Sequence, residues 1–185
     1  MLEEIGKSYE TVVLDFGPKM KTAEYLAINP MGKVPALKHG DRVITECAAI
    51  CAYLAHTFPE ARLVPEDRSS FYRWLFFGAG PVDMASADAR RGVVIADAEK
   101  GHCGYGSFDD VVRVLADHLR HARYFCGDQF SAVDVVLGSS IGFGLEFGTL
   151  PNNVDLVAYW DRIKCRSARL RALQLDEALM AGAAG

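Results

Sequence analysis

Paired cysteines are missing from this chain. Its thiols, Cys47, Cys51, Cys103, Cys126 and Cys165, are odd in number and none falls in a CxxC spacing. Neither a disulfide framework nor a thioredoxin redox pair is indicated, and reduced thiols are expected. An excess of positive charge is also missing. The net charge of −4 gives no electrostatic attraction for nucleic acid or for an anionic membrane surface. Long apolar runs are absent as well: Val133 to Phe147 carries Asp134 and Glu146 and is too short to span a bilayer. No charged, apolar and small-residue leader opens the sequence, so a cytoplasmic location is the expectation. His118 and His121 could sit on adjacent helical turns, but no carboxylate or thiol at ligand spacing completes a site, and no metal is expected. There are no internal repeats and no low-complexity tracts. What remains is an ordinary folded composition, 50% hydrophobic and 24% charged over 185 residues, long enough to bury a substantial core.

Along the chain the pattern changes once. Leu2 to Gly6 reads as the end of a helix closed by a glycine cap. Tyr9 to Phe16 collects β-branched and aromatic residues between Gly6 and Gly17-Pro18 and is expected to form a strand. Lys21 to Ile28 is a short helical or turn segment ended by Asn29-Pro30. Ala36 to His39 and Arg42 to Thr45 are expected as strands of a hairpin turning at Gly40-Asp41. From Glu46 onward the periodicity is helical: Glu46 to Phe58, Ser69 to about Ala89, Phe108 to Phe125, Ala132 to Phe147, Asn153 to Cys165, and a segment near Leu170 to Met180. Ser107 with Asp110, and Ser131 with Asp134, place a hydroxyl at N-cap and a carboxylate three residues on, an acidic form of the capping box. Arg91 to Gly106 reads as a surface loop. These signals divide the chain into a mixed α/β part over residues 1–62, a linker over 63–68 and an all-helical part over 69–185.

Two places carry chemistry. Pro35 opens a strand, where its missing N–H is tolerated, and a cis Val34-Pro35 bond would turn the backbone N–H and C=O of Val34 outward to pair with an extended ligand. Glu46 and Cys47 fall at a helix start, where unpaired N–H groups and the positive end of the dipole suit a carboxylate. An ordinary trans proline at a strand entry and a solvated charge on a first helical turn are the plain alternatives. Cys47 and Cys51 share a helix face, as two small packed residues would.

Gly32-Lys33-Val34-Pro35-Ala36-Leu37, the hairpin, and Thr45-Glu46-Cys47-Ala48-Ala49-Ile50 with Tyr53-Leu54 resemble the thioredoxin-like domain of bacterial glutathione transferases. Tyr124 to Asp134, Gly142 to Pro151, and Arg73-Trp74-Leu75-Phe76-Phe77 with Pro81 continue the similarity into that family's helical domain. The resemblance implies an α/β thioredoxin-like N-terminal domain followed by an all-α bundle. It also implies glutathione as co-substrate, conjugated to a small electrophilic molecule in a detoxifying reaction, and a homodimer. Residue by residue, Val34 and Pro35 would pair with the glutathione backbone. Glu46 would take the γ-glutamyl ammonium and Cys47 its carboxylate, while Lys33 could meet a terminal carboxylate. Cys47 stands where the family has serine, and a thiol is the weaker donor.

The family's thiol-activating Tyr, Ser or Cys comes from a first strand and the start of a first helix. Neither has a counterpart here, so the resemblance implies an N-terminally truncated chain and leaves the catalytic residue unknown. Ser8 and Tyr9 lie after the first helix and are not assigned. A catalytically impaired binding or interaction module is the competing expectation. A third is a thiol-disulfide role for Cys47, whose pKa the helix dipole would lower and Glu46 would raise.

Overall fold

The computed structural model describes residues 1–183. A short helix α1 (Leu2–Ile5) ends at Gly6, whose left-handed φ of 65° brings its N–H onto the Leu2 carbonyl. Residues 7–16 run on without regular structure. A 3-10 turn (Pro18–Lys21) leads into α2 (Ala23–Ile28), capped by the Thr22 hydroxyl, which accepts from the Tyr25 N–H. The strands β1 (Ala36–His39) and β2 (Arg42–Thr45) pair antiparallel, Ala36 facing Thr45 and His39 facing Arg42 across the Gly40-Asp41 turn.

The expected strand over Tyr9 to Phe16 does not form. A strand needs a neighbour for its ladder, and among the described residues the one sheet is the β1–β2 pair. The segment therefore stays irregular and largely exposed, with Phe16 and Val12 in solvent.

The rest is helical: α3 (Cys47–Thr57), α4 (Arg68–Phe77), α5 (Asp83–Arg90), α6 (Phe108–His121), α7 (Ala132–Glu146), α8 (Val154–Ile163) and α9 (Ser167–Ala183). The single helix expected from Ser69 to Ala89 is instead two, joined by a π-helical turn over Gly78–Val82 that contains Pro81. Proline removes one N–H from the ladder and crowds the preceding turn, and a wider turn absorbs both effects without ending the helix. α6 stops at His121, short of the expected Phe125, because Tyr124 and Gly127 exchange hydrogen bonds in a tight turn of their own.

α7 lies at the centre, packed by α3, α4 and α8. Its Leu137 and Ile141 are fully buried with Leu115 of α6 and Leu156 of α8, each worth roughly 1.5–3 kcal/mol of transfer free energy. At Gly142 an added Cβ would fall 2.4 Å from the Trp160 ring, so only glycine lets α8 approach this closely. Asp134, in the first turn of α7, is buried with its acceptors filled. It takes the Phe125 N–H (3.1 Å), the Ser131 N–H (2.9 Å), the Ser131 hydroxyl (3.0 Å) and the Tyr159 hydroxyl (2.9 Å). Burial pushes its carboxyl upward and these four donors pull it back. One residue thereby fixes the start of α7, the turn before it and the face of α8.

The two parts of the chain are tied by ion pairs. Arg166 holds the Glu4 carboxylate with two bonds of 2.8 Å while its guanidinium lies 3.6 Å from the centre of the Phe130 ring. Arg171 binds Glu3 through its carboxylate and its carbonyl, both at 3.0 Å. The connecting segment is pinned as well: Leu63 is buried, and its carbonyl accepts from the Ala132 N–H at 2.9 Å.

Candidate functional site

The loop from Asn29 to Pro35 is held by side chains that arrive from α2 and the turn before it. Asn29 is 3% exposed, and its Oδ1 accepts the Met31 N–H at 3.1 Å while its Nδ2 donates to the Lys33 carbonyl at 2.7 Å. The buried Tyr25 hydroxyl donates to the same carbonyl at 2.7 Å. Lys21 extends its ammonium to the carbonyls of Met31 (2.8 Å) and Gly32 (3.0 Å). Gly32 has φ 57° and is buried against this arrangement. A Cβ there would lie 2.6 Å from the Met20 carbonyl oxygen, so the position admits no side chain.

What these residues present is Val34. The Val34-Pro35 peptide is cis, and β1 begins at the next residue. Among the described residues neither the N–H nor the C=O of Val34 has a hydrogen-bond partner. A backbone donor and acceptor held rigidly at a strand entry form an edge to which an extended peptide can add. Lys33, exposed on the same loop, carries a cation beside that edge.

Across the hairpin, α3 starts at Cys47 with Glu46 as its N-cap. Glu46 has φ 68° and ψ 123°, a conformation that a residue bearing a Cβ seldom adopts. Its side chain makes no capping bond and extends into solvent. Among the described residues the first N–H groups of the helix, at Cys47, Ala48 and Ala49, therefore have no backbone or capping acceptor, a mouth suited to a carboxylate. Both sequence-predicted places, Lys33-Val34-Pro35 and Glu46-Cys47, thus offer free polar groups next to each other at the open end of one hairpin, Ala36 being paired with Thr45.

The Cys47 thiol is pushed up, first by desolvation and then by the Glu46 carboxylate, with Asp83 adding to it. This runs against the thiol-disulfide expectation, because a raised pKa leaves less thiolate at neutral pH. Cys51, one turn further in, is pushed up to about 11 by burial. The Tyr9 hydroxyl donates to Glu3 at 2.9 Å, and burial and that carboxylate raise its pKa. Among the described residues no group of His, Cys, Asp and Glu is placed to hold a metal ion. Among the described residues no helix is long and apolar enough to cross a membrane.

Sequence reasoning read Asn29-Pro30 as a helix end and Gly32 as part of a motif, but not that Lys21, Tyr25, Asn29 and Gly32 together set the Val34 edge. Asn29-Pro30 followed by a glycine was the available signal, since an Asx side chain bonding its own backbone two residues on is a turn device.

Comparison with known proteins places this geometry. The N-terminal domain of glutathione S-transferases matches residues 1–57. A probable glutathione S-transferase of Oryza sativa subsp. japonica is 49% identical over 186 aligned positions, covering 86% of this chain and 78% of that protein. A glutathione S-transferase from Xylella fastidiosa superposes with a TM-score of 0.77 at 26% identity, over 95% of this chain and 90% of the other. A sphingomonad glutathione S-transferase complexed with glutathione does so at 0.75 and 25%, over 95% and 90%. The small sheet with α1 to α3 is a thioredoxin-like domain and the helices after it the all-α domain of these proteins. With a free backbone edge beside a proline, an open helix mouth across the hairpin and this similarity along most of its length, the chain belongs to the glutathione transferase family.

Proposed function

We propose that this chain binds reduced glutathione between the Val34 edge and the mouth of α3. In this reading the tripeptide backbone pairs with the N–H and C=O of Val34. The γ-glutamyl carboxylate sits on the N–H groups of Cys47 and Ala48, Glu46 takes the ammonium, and Lys33 meets the terminal carboxylate. The observation that carries it is the unpartnered donor and acceptor of Val34, held by the bonds of Asn29 and Tyr25 to Lys33. In the conjugation proposed for the full machinery, the glutathione thiolate attacks an electrophilic carbon. The C–S bond forms as the bond to a halide breaks, and the halide leaves with the electron pair. No residue is assigned as the thiolate activator.

The division proposed for the two domains runs at residues 63–68, with glutathione on the 1–62 side and the electrophile against 69–185. We also propose a cytoplasmic homodimer with a detoxifying role. Its surface would be built from Tyr72 and Phe76 of α4, which are large and exposed, as large exposed aromatics one helical turn apart favour association. Sedimentation that returns only a 20.2 kDa species at micromolar concentration would remove the dimer.

Calorimetry with millimolar reduced glutathione tests the binding reading. Saturable heat is expected, with Cys47→Ser tightening it because a hydroxyl donates better than a thiol. Absence of heat overturns it. The second reading is a binding module without turnover, since the contacts proposed for the tripeptide, at Val34 and the mouth of α3, need no thiolate activator. It predicts glutathione binding with no conjugation of a chlorinated arene.

A further inference from the structure

Beyond the hairpin, side chains of α5 and of α7 line a groove of about 290 Å³. Its two walls follow helical spacing. Asp83, Ser86 and Arg90 of α5 stand at i, i+3 and i+7, and Ser140, Phe143 and Phe147 on the α7 side repeat that spacing. Val82 and Gly144 are buried beneath. Phe143 and Phe147 are 60% and 75% exposed, yet their rings stack at 6.2 Å and 19°. Two exposed rings ordered against each other form a ready apolar platform.

The charges are distributed unevenly along the groove. Asp83 marks the end next to α3, close enough that its carboxylate contributes to raising the Cys47 thiol. Arg90 lies two turns away, about 10 Å along a helix rising 1.5 Å per residue. Its neighbour Arg91 is taken up by Asp88. Arg90 itself has no carboxylate partner among the described residues, so its planar guanidinium is free for a bidentate acceptor. Of the groove's hydroxyls, Ser140 donates to the Val136 carbonyl at 3.2 Å and Thr149 to that of Gly144 at 3.4 Å, while Ser86, one turn from Arg90, has no hydrogen-bond partner among the described residues. A cavity of ~150 Å³ holds a benzene ring, so this groove has room for a substituted ring.

We propose that this groove is the seat of the electrophilic co-substrate and that it selects arenes carrying a carboxylate, with the ring against Phe143 and Phe147 and the carboxylate on Arg90. The inference rests on the glutathione reading for the word co-substrate. The groove's own preference for an anionic arene does not. In this pose the ring position opposite the carboxylate is directed toward the Asp83 end, which follows the π turn that packs on α3.

The test uses 4-chloro-3-nitrobenzoate and its neutral counterpart 4-chloro-3-nitrobenzamide, titrated into the protein without glutathione and followed by calorimetry or ligand-observed NMR. The benzoate is expected to bind roughly threefold to fivefold tighter, the effect of one solvent-exposed ion pair. Arg90→Gln should erase that difference while leaving the benzamide unchanged. Phe147→Ala, checked for folding by circular dichroism, should weaken both. Equal affinities in the wild-type protein, a preference that survives Arg90→Gln, or no saturable binding of either compound would overturn the proposal. A separate titration of wild-type protein with glutathione keeps the two readings apart. Benzoate preference without glutathione binding supports the groove and sinks the transferase reading; glutathione binding without benzoate preference does the reverse.

Discussion

Glu46 is where stability and binding should trade against each other. Its φ of 68° and ψ of 123° fall outside the allowed regions for a residue with a Cβ, a departure that costs about 1–3 kcal/mol. Its side chain returns no stabilising contact, since it neither caps α3 nor packs against the core. Glu46→Gly relieves the steric term and adds roughly 0.5–1 kcal/mol of chain entropy to the unfolded state, leaving a net gain of about 1 kcal/mol. For a chain of this length that is about 2–4 °C in Tm, or about 0.5 M in a urea midpoint with a slope near 2 kcal/mol/M. Glu46→Ala keeps the Cβ and therefore the strain, so it should show no gain. Both substitutions remove the carboxylate proposed for the glutathione ammonium, and both should weaken glutathione about tenfold by calorimetry, as loss of a charge-assisted hydrogen bond does. A glycine variant no more stable than wild type would refute the strain argument. One more stable with unchanged glutathione affinity would refute the role given to the side chain.

Arg166→Ala should cost about 1–3 kcal/mol in urea denaturation, between the values for an exposed and a buried pair because the guanidinium is partly solvated. The stranded Glu4 carboxylate, 12% exposed, bears most of it. Asn29→Ala leaves the Met31 N–H without its acceptor and removes one of two donors to the Lys33 carbonyl, an expected loss of about 1–3 kcal/mol. Glutathione affinity should fall with it although Asn29 touches no ligand, and unchanged affinity would show that the Val34 edge is set by other contacts. His118 lies between Trp74 and Phe125, and burial lowers its pKa below the ordinary 6.5. As pH falls through 6.5 the unfolded chain takes up a proton that the folded one refuses, so this group's contribution to stability is lost toward its lower folded pKa. The difference in Tm between wild type and His118→Phe should therefore shift toward the variant from pH 7.5 to 5.5. A pH-independent difference would show that the imidazole is not the titrating group.

Local rules made the hairpin, the α3 start and the helical half legible, because each is signed within a few residues. Gly40 turns the hairpin, Ser131 with Asp134 starts α7, and a helix period follows. Tyr9 to Phe16 misled for the opposite reason. Its β propensity is real, but a strand is a pairwise object, and composition says nothing about whether an edge is there to receive it. The π turn at Gly78–Val82 escaped because a hydrophobic period survives one widened turn almost unchanged. The staple on the Val34 loop escaped because Lys21 reads as an exposed charge, and only the folded chain shows its ammonium on two carbonyls ten and eleven residues away.

That staple bears on how such a site tolerates change. The proposed ligand contacts at Val34, Cys47 and Ala48 are backbone groups, which no substitution deletes short of proline. Side chains govern the site through position: Asn29 and Tyr25 aim the loop by way of the Lys33 carbonyl. The mouth of α3 is aimed by the packing of Ile50 and Leu54 in the core. A hydrogen bond to a rigid N–H weakens steeply as its geometry departs from linear, so a small shift of either element loses affinity without removing any contacting atom. Buried polar residues of the loop should therefore tolerate fewer substitutions than exposed Lys33 or Cys47. A saturation library selected for glutathione binding would rank them that way, and equal tolerance at Asn29 and Lys33 would contradict the backbone-edge reading of the site.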